Sequence, residues 1–476
     1  MSTVKRLAKN TFFLLISRLI TSIVGFVLLI YITRYLGEVD FGKYSFAMSF
    51  TALFEIFADI GISQLIIREL SRNKELTSEY ITNIATIKLL FSVFMLILIV
   101  LIINILGYPE DTKYVVYVFG VYTVLISFMK VSMSIFQAFE KMEYIAVVDV
   151  IERISALSLT YFIFSKGYGL IELSYVYVTA GLIGVIISII VILVKFPRPK
   201  LRINTLLCKK LIYDSIPFGL NVLFGILFFK IDSVMLSMIK GDAAVGVYSA
   251  AYNPLLSLSG LITGIIVTGV YPVMSRYFIS SKDSLKVLII HFSKYTAIIG
   301  FPISIGCFIL AKEFIHLFYG NQYSNSVIAF QILALFIPIR LTSSLTATVL
   351  SSINRQKLRT AIVCASSFIN ISLNLVLIPY LSYIGASIST VLSEMFLNFA
   401  IVYFIGKHYE KLQLNSHYIK PFLASLAMGG FLIWFREMNI FLLITLSGFF
   451  YFLVLISLGT FTKKEIDIFQ QVMKRG

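Results

Sequence analysis

The chain has 476 residues, of which 58% are hydrophobic and 13% charged, whereas soluble domains are about 45–50% apolar and about 25% charged. No polar stretch exceeds about twenty residues, which excludes a string of soluble domains. In a soluble protein, a net charge of +16 would indicate a nucleic-acid partner. Here the basic residues lie in short loops without interleaved aromatics, which excludes nucleic-acid binding and is typical of a membrane protein.

A membrane span needs about 20 apolar residues to cross a hydrocarbon layer of roughly 30 Å. By that measure the sequence predicts about fourteen transmembrane helices. The basic N-terminus runs into the first of them without a small-residue cleavage site, so we interpret that helix as retained and not as a signal peptide. The predicted spans are residues 11–36, 43–67, 81–106, 112–137, 144–165, 170–194, 211–238, 245–273, 287–310, 326–352, 358–379, 383–406, 418–436 and 439–461.

The distribution of Lys and Arg between the loops predicts the orientation. Counted together with the four residues at each adjoining span end, the two termini and the loops after even-numbered spans carry 26 of these residues, and the other loops carry 7. Because basic loops stay on the cytoplasmic side, we expect both termini in the cytoplasm. We expect the protein itself in the plasma membrane. The same alternation supports an even number of spans.

The longest connector is KFPRPKLRINTLLCKK, residues 195–210, with two prolines and six basic residues. It predicts a domain boundary that lies on the cytoplasmic leaflet. We interpret it as a plain linker, because basic interfacial segments are common, and a lipid-binding helix is the alternative.

An internal repeat crosses that boundary. LGEVDFGKYSFA (36–47) and KGDAAVGVYSAA (240–251) match at five positions with an offset of 204, and FEKME (139–143) has the same place in the first half as INRQK (353–357) in the second. Because six helices separate the copies, the sequence predicts two parallel six-helix lobes around a central cavity, plus two extra C-terminal helices. The predicted parts are an N-lobe (1–196), a basic linker (197–210), a C-lobe (211–408), and the last two helices with a cytoplasmic tail (409–476).

Proline is unevenly distributed between these lobes. Six prolines fall within spans 7–11 and none within spans 1–6, and because proline kinks helices, we expect the C-lobe to be the one that bends. They are Pro217, Pro254, Pro272, Pro302, Pro338 and Pro379.

The two repeated turns, together with FPISIGCFILAKEFIHLFYGNQYSNS (301–326), resemble the polysaccharide exporters of the MOP superfamily, and within it the Wzx-type O-antigen flippases. The resemblance implies a flippase that moves a lipid-diphosphate-linked oligosaccharide from the inner to the outer leaflet by alternating access. It also implies an anionic headgroup held in a cationic cavity between the lobes. The implied partners are membrane lipids, a polyprenyl-diphosphate-linked oligosaccharide and glycan-assembly proteins.

Seven basic and six acidic residues lie more than four residues from either end of a predicted span. A basic residue at such a position costs about 2.5–3.5 kcal/mol and needs a partner or a wet cavity. Arg18 follows Ser17 in a context that resembles the first span of peptidoglycan-precursor flippases. Its planar guanidinium group can donate two hydrogen bonds at once to a phosphate. The lysines in the cytoplasmic third of their spans (Lys88, Lys130 and Lys294) have stems long enough to snorkel. The predicted substrate-binding residues are Arg18, Lys230, Arg340, Lys88, Lys130 and Lys294.

The intramembrane acids allow more than one interpretation. Asp149 and Arg153 are spaced i, i+4, which predicts a structural ion pair. Glu55 and Asp59 have the same spacing and repel each other unless neutralised, so they form either a coupling-ion site or counter-ions for Arg18 and Lys88.

Asp232 belongs to the same class of coupling or counter-ion candidates as these two acids. It lies two residues after Lys230, so the two side chains point to different sides of span 7. Asn370 and Asn374 share a face of span 11, where they meet either sugar hydroxyls or neighbouring helices.

Other functions make different demands on the sequence. A cation-coupled multidrug or toxin exporter needs an acid-dominated binding site, whereas the charges within the spans are nearly balanced. A membrane scaffold or a glycan-transfer enzyme is the alternative of another class. No large extracytoplasmic loop and no constellation of His, Cys or carboxylates indicates an active site, so we expect no enzymatic activity. The spacing of the three cysteines and four histidines predicts no disulfide, no metal site and no cofactor.

Overall fold

The computed structural model describes residues 3–200, 202–409 and 415–461 of the chain, and side chains from residue 9 and, in the last segment, from residue 418. These residues form α-helices joined by short turns, with no strand among them. The helices are α1 (Thr3–Asp59), α2 (Ile62–Arg72), α3 (Thr77–Ile105), α4 (Glu110–Ala138), α5 (Met142–Ser165), α6 (Leu170–Lys195), α7 (Thr205–Lys240), α8 (Asp242–Ser280), α9 (Lys282–Ile309), α10 (Ala311–Tyr319), α11 (Ser326–Ala334), α12 (Phe336–Ser352), α13 (Gln356–His408), α14 (Asn415–Trp434) and α15 (Ile440–Ser457).

Two of these helices contain two spans each. α1 has 57 residues and α13 has 53, and at 1.5 Å per residue either would be far longer than a bilayer is thick. Each is interrupted at one residue with non-helical dihedrals, Gly37 in α1 and Ser382 in α13. In α13, a Cβ on Gly385 would overlap the backbone carbonyl of Leu377, and two residues that far apart meet only if the chain reverses at Ser382.

The predicted span count follows from these reversals. Ten described helical segments, one of them formed by α11 and α12 together, are long and apolar enough to cross a membrane. Two of the ten, α1 and α13, contain two spans each. With α5 and α14, the fourteen predicted spans all have a helix at their place in the chain. The predicted all-α, polytopic membrane fold is confirmed.

Two predicted spans are broken where the sequence pattern predicted continuous helices. Span 2 breaks at Ile60 and Gly61, which both have positive φ, so its last turns form the separate helix α2. Span 10 breaks at Leu335, between α11 and α12. The cause of the second break is Pro338, whose ring clashes with the carbonyl four residues earlier, at the end of α11.

The described residues pack into two compact units. One contains those of Met1–Ala250 with Val363–Ala386, and the other those of Ala251–Ile362 with Ser387–Gly476. In the first unit α7 packs on the break before α2, where a Cβ on Gly61 would overlap backbone atoms of Gly219. In the second unit α14 and α15 pack on α9, and the Tyr451 hydroxyl donates to the Ile298 carbonyl at 2.8 Å. The domain bounds at 196 and 211, which the repeat predicts, stay a prediction.

The sequence repeat is also a repeat of backbone conformation. Gly37 has φ 74° and ψ 178°, and Gly241, its partner at the offset of 204, has φ 83° and ψ 178°. The two turns pack against each other reciprocally: a Cβ on Gly42 would overlap the Asp242 carbonyl, and one on Gly246 would overlap the Glu38 carbonyl. Glycine is needed at both positions because backbone lies where a side chain would begin.

Next to these turns, Tyr108 ties the α3–α4 loop to α7. Its hydroxyl donates to Ser237 Oγ at 3.0 Å, and its ring stacks on Phe46 with centroids 4.6 Å apart. Burial raises the pKa of Tyr108 to about 12, so the hydroxyl remains a donor at physiological pH.

The second pair of repeated turns, FEKME (139–143) and INRQK (353–357), also has matching backbone conformations. Glu140 and Asn354 are both left-handed, with φ 56° and φ 61°. In each case the next residue closes a helix-ending turn, Lys141 N to Phe136 O and Arg355 N to Leu350 O, both at 2.9 Å. The two halves of the chain therefore share their helix-ending geometry as well as their motifs.

Candidate functional site

A polar cavity of 420 Å³ lies in the first unit among α1, α4 and α5. Its wall combines hydroxyl-bearing and apolar residues with five charged side chains, an unusual number for the interior of a membrane-spanning unit. The charged residues are Glu55, Lys130, Asp149, Glu152 and Arg153. Three carboxylates therefore face two basic groups in this cavity.

One side of the cavity is lined by an ion pair between Lys130 on α4 and Glu55 on α1. The Lys130 side chain is 44% exposed and the Glu55 side chain 14% exposed. Of the two predicted roles for Glu55, that of a counter-ion matches this arrangement, although its partner is Lys130 and not one of the bases that the sequence suggested.

The other side is formed by one face of α5. Arg153 Nε lies 3.8 Å from Glu152 Oε2, and Tyr122 on α4 donates to Glu152 Oε1 at 3.1 Å. Asp149 lines the same cavity and is within electrostatic reach of both Arg153 and Arg18. The predicted pair of Asp149 and Arg153 is thus part of a larger charged group, and the ion pair of Arg153 is made with Glu152.

Lys88 lies outside this cavity, and its side chain is completely buried. Its ammonium group donates to Asp59, to the Ser127 hydroxyl at 2.7 Å and to the Ser127 carbonyl at 3.0 Å. Since an ammonium group has three protons, none is left for a ligand. The expected snorkelling of Lys88 is wrong, because Asp59 holds the side chain in the protein interior, and the geometry favours a structural role over the predicted substrate contact.

Asp232 on α7 is fully buried among polar side chains. Tyr248 donates to its Oδ2 at 3.0 Å, and Asn374 Nδ2 donates to its Oδ1 at 2.5 Å and to Asn370 Oδ1 at 3.1 Å. The Asn374 Oδ1 atom is buried and accepts no hydrogen bond within the described chain. Of the two interpretations of the asparagines, helix-to-helix bonding is the one that the structure shows.

Lys230 is on the same helix as Asp232 but does not share its surroundings. It is half-buried, and in the described segments no side chain forms an ion pair or a hydrogen bond with it. It is therefore a basic side chain within a span that has no partner in the described part of the protein.

In the second unit, Arg340 on α12 lies 3.5 Å from Glu394, measured from Nη1 to Oε1. Glu394 is fully buried and also accepts from Ser343. Arg359 on α13 lies close enough to interact electrostatically with Arg340, and its Nη1 donates to Ser351 at 3.0 Å. These two guanidinium groups give the second unit a cationic pair with one carboxylate beside it.

The remaining predicted residues have different environments. Arg18 is an exposed residue of α1. Lys294 on α9 is buried, and its ammonium group lies 5.4 Å from the centre of the Phe461 ring. A buried position on α9 does not match the snorkelling that we expected for Lys294, because its cation is covered by an aromatic ring.

Sequence reasoning missed Glu152, Tyr122 and Arg359 as site residues. Arg359 lies at the edge of a predicted span and was assigned to the basic loop before it, although α13 begins three residues earlier. Tyr122 carries no signal among 27 tyrosines. Its role depends on the packing of α4 against α5.

Two family models match the chain. The family described as "Polysaccharide biosynthesis protein" matches residues 7–278, more than half of the chain, and the family described as MatE matches residues 217–376. The first match includes the cavity and both repeated turns.

Individual relatives agree with the first family. Capsular polysaccharide biosynthesis protein CapF of Staphylococcus aureus is 22% identical over 84% of this chain and 99% of its own length. An uncharacterized membrane protein of Methanocaldococcus jannaschii is 24% identical, and the match covers 62% of this chain but only 61% of that protein.

A solved structure has the same fold. The lipid II flippase MurJ, in its inward closed conformation, superposes with a TM-score of 0.73 at 15% identity, covering 94% of this chain and 97% of MurJ. The predicted resemblance to the polysaccharide exporters of the MOP superfamily is confirmed, and the chain belongs to the polysaccharide biosynthesis protein family of multi-pass membrane proteins.

Proposed function

We propose that the protein is a flippase that moves a lipid-diphosphate-linked oligosaccharide from the inner to the outer leaflet by alternating access. Family membership, the capsule-related relative and the fold shared with a lipid II flippase support this proposal. They also support transport over catalysis of glycan transfer and over a scaffold role. We place the protein in the plasma membrane with both termini in the cytoplasm, which reporter fusions to each terminus test.

The observation that carries the proposal is Lys230. A basic side chain within a span costs about 2.5–3.5 kcal/mol on insertion scales, and pairing normally offsets this cost. Lys230 has no such partner in the described part of the chain. An anionic ligand that arrives during transport supplies the missing partner, and a diphosphate carries enough charge to do so.

Arginine side chains extend the proposed headgroup contacts. Arg18 in the first unit and Arg340 in the second suit the diphosphate, because a guanidinium group donates two parallel hydrogen bonds. Arg359 adds a second guanidinium group next to Arg340. When no phosphate is bound, Glu394 holds Arg340 in place, with Oε1 3.5 Å from Nη1.

Asp232 is our candidate for coupling to a cation. Its carboxylate, Asn370 and the buried Asn374 Oδ1 atom provide oxygen ligands of the kind that hard cations prefer. Asp232→Asn keeps the shape and removes the charge. We expect transport by this variant to lose its dependence on a cation gradient.

A leaflet-reversal assay tests the main proposal. Vesicles containing the protein and a fluorescent polyprenyl-diphosphate sugar report how fast the lipid reaches the outer leaflet. We expect Lys230→Ala to slow transfer about tenfold, as the loss of a charged hydrogen bond implies, and Lys230→Arg to retain most of it. Lys240→Ala, which removes an exposed lysine of the same helix, is the matched control.

Two results contradict the proposal. If the wild-type protein transfers no lipid-linked sugar, the flippase assignment is wrong. If Lys230→Ala and Arg18→Ala both transfer at the wild-type rate, the headgroup contacts are wrong even though the protein is a flippase.

The cavity in the first unit supports a second candidate, a cation-coupled exporter of drugs or toxins. Its three carboxylates outnumber its two basic groups, and the MatE family model matches residues 217–376. Such an exporter clears a cationic dye such as ethidium from cells. Glu152→Gln abolishes that clearance if the candidate is right, and the absence of protein-dependent clearance rules it out.

A further inference from the structure

The segment between α6 and α7 carries the densest positive charge of the described chain. All six basic residues of 195–210 are exposed, and this stretch contains no acidic residue. Within the described residues none of the six forms an ion pair, and Asp214 is the first carboxylate that follows them. The segment therefore presents uncompensated charge to its surroundings. The six residues are Lys195, Arg198, Lys200, Arg202, Lys209 and Lys210.

This charge is held in a fixed position. The Lys200 amide donates to the Ser78 carbonyl at 2.9 Å. Asn83, which is fully buried, accepts from the Asn204 amide at 2.7 Å and donates to the Arg202 carbonyl at 3.4 Å. Tethered on both sides of its basic residues, the segment does not behave as a free linker.

Its start is anchored as well. The Phe196 ring is buried, with its centre 5.3 Å from that of Phe136 and 5.0 Å from that of Phe139. The segment is thus fixed to α4 at its start and to α3 along its length. Its charges are arranged in space by the fold.

The first turns of α7 have two different faces. Leu211, Ser215 and Gly219 are buried against the rest of the first unit. On the opposite face Leu206 is 80% exposed and Tyr213 is 76% exposed, with Lys209 and Lys210 between them beside an open recess of 500 Å³. Apolar groups on both sides of a lysine pair match the depth at which lipid headgroups meet acyl chains.

We propose that residues 195–200 and 202–213 form a binding site for anionic phospholipids of the bilayer, with Lys209 and Lys210 on the phosphate and Leu206 and Tyr213 against the acyl chains. An acidic soluble partner matches the charge but leaves the two apolar side chains in water. Free phosphate also leaves the Leu206 and Tyr213 side chains in water. The site does not depend on the proposed transport function, because it lies on the outer face of α7 and not in the cavity among α1, α4 and α5.

Native mass spectrometry of the full-length protein, released from vesicles with and without phosphatidylglycerol, tests the site. We expect Lys209→Gln with Lys210→Gln to lower the retained phosphatidylglycerol by at least about fivefold, the effect of removing one surface lysine near an anionic leaflet. The charge-matched control is Lys357→Gln with Lys407→Gln, two exposed lysines of α13. Leu206→Ser, which keeps every charge, also lowers retention.

Three outcomes overturn the proposal. If the control pair lowers retention as much as the Lys209 and Lys210 pair does, the lipid is held by general electrostatic attraction and not by a site. Unchanged retention in the Lys209 and Lys210 pair excludes the site. Displacement of phosphatidylglycerol by an equal amount of a polyprenyl diphosphate shows that the surface belongs to the transported lipid instead.

Discussion

Lys88 on α3 donates to Asp59 on α1, and the ammonium side chain is completely shielded from solvent. A pair of this kind is expensive to break, because removing one partner leaves the other as an uncompensated buried charge. The two residues are 29 positions apart in the chain, so the pair also fixes α3 against the end of α1.

Lys88→Met is therefore expected to destabilise the folded protein by about 3–5 kcal/mol, since Asp59 stays buried without a cation. The double variant Lys88→Met with Asp59→Leu recovers most of that loss, because no charge remains to be solvated. Melting temperatures of the purified proteins measure both effects. A Lys88→Met protein that melts normally but transports poorly contradicts the structural role and returns Lys88 to the substrate site.

Gly42→Ala is expected to destabilise the paired turns by about 1–3 kcal/mol, because its Cβ would overlap the Asp242 carbonyl and the backbone must shift. Gly25→Ala is the matched control on the same helix, since a Cβ there has no atom within 4 Å. Thermal unfolding compares the two. Equal melting temperatures for both variants contradict the reciprocal packing of the turns.

Asn83→Ala is expected to release the basic segment, because it removes the side chain that bonds the Asn204 amide and the Arg202 carbonyl. Trypsin should then cut after Lys200 and Arg202 several times faster than in the wild type, as the loss of buried hydrogen bonds worth about 1–3 kcal/mol implies. Asn104→Ala, which removes an exposed asparagine from the same helix, should leave the cleavage rate unchanged. Resistance of the Asn83 variant to trypsin would show that other contacts hold the segment.

Arg359→Gln is expected to have opposite effects on stability and transport. It removes like-charge repulsion with Arg340, so the ligand-free protein should melt at the same or a higher temperature. It also removes a proposed phosphate contact, so lipid transfer should fall about tenfold. Arg355→Gln, an exposed neighbour, is the control. Loss of stability without loss of transfer assigns Arg359 to structure instead.

The span pattern and the repeat were predictable because both depend on local signals. Apolar length marks each span, and a glycine with φ near 80° marks the repeated turn at Gly37 and again at Gly241. The breaks inside spans 2 and 10 were not predicted, because a single proline or a left-handed residue is outweighed by twenty apolar neighbours in a hydropathy pattern.

Most charged residues of the site were predictable one by one, as charges within spans, but not as pairs. Any Lys or Glu within a span is conspicuous, which is how Lys130 and Glu55 were identified. They are 75 residues apart, and nothing in the sequence specifies which base meets which acid. The same limit applies to the bond between Glu152 and Tyr122, which are 30 residues apart and meet only because α4 packs on α5.

The bond between Asp232 and Asn374 has a consequence for how the protein is made. The two residues are 142 positions apart, and synthesis at about 5–20 residues per second separates their emergence by about 7–28 seconds. During that interval α7 is already in the membrane with a carboxylate whose amide donor does not yet exist. Chains truncated before α13 should therefore be less stable than the full chain, because the buried Asp232 carboxylate lacks the Asn374 donor.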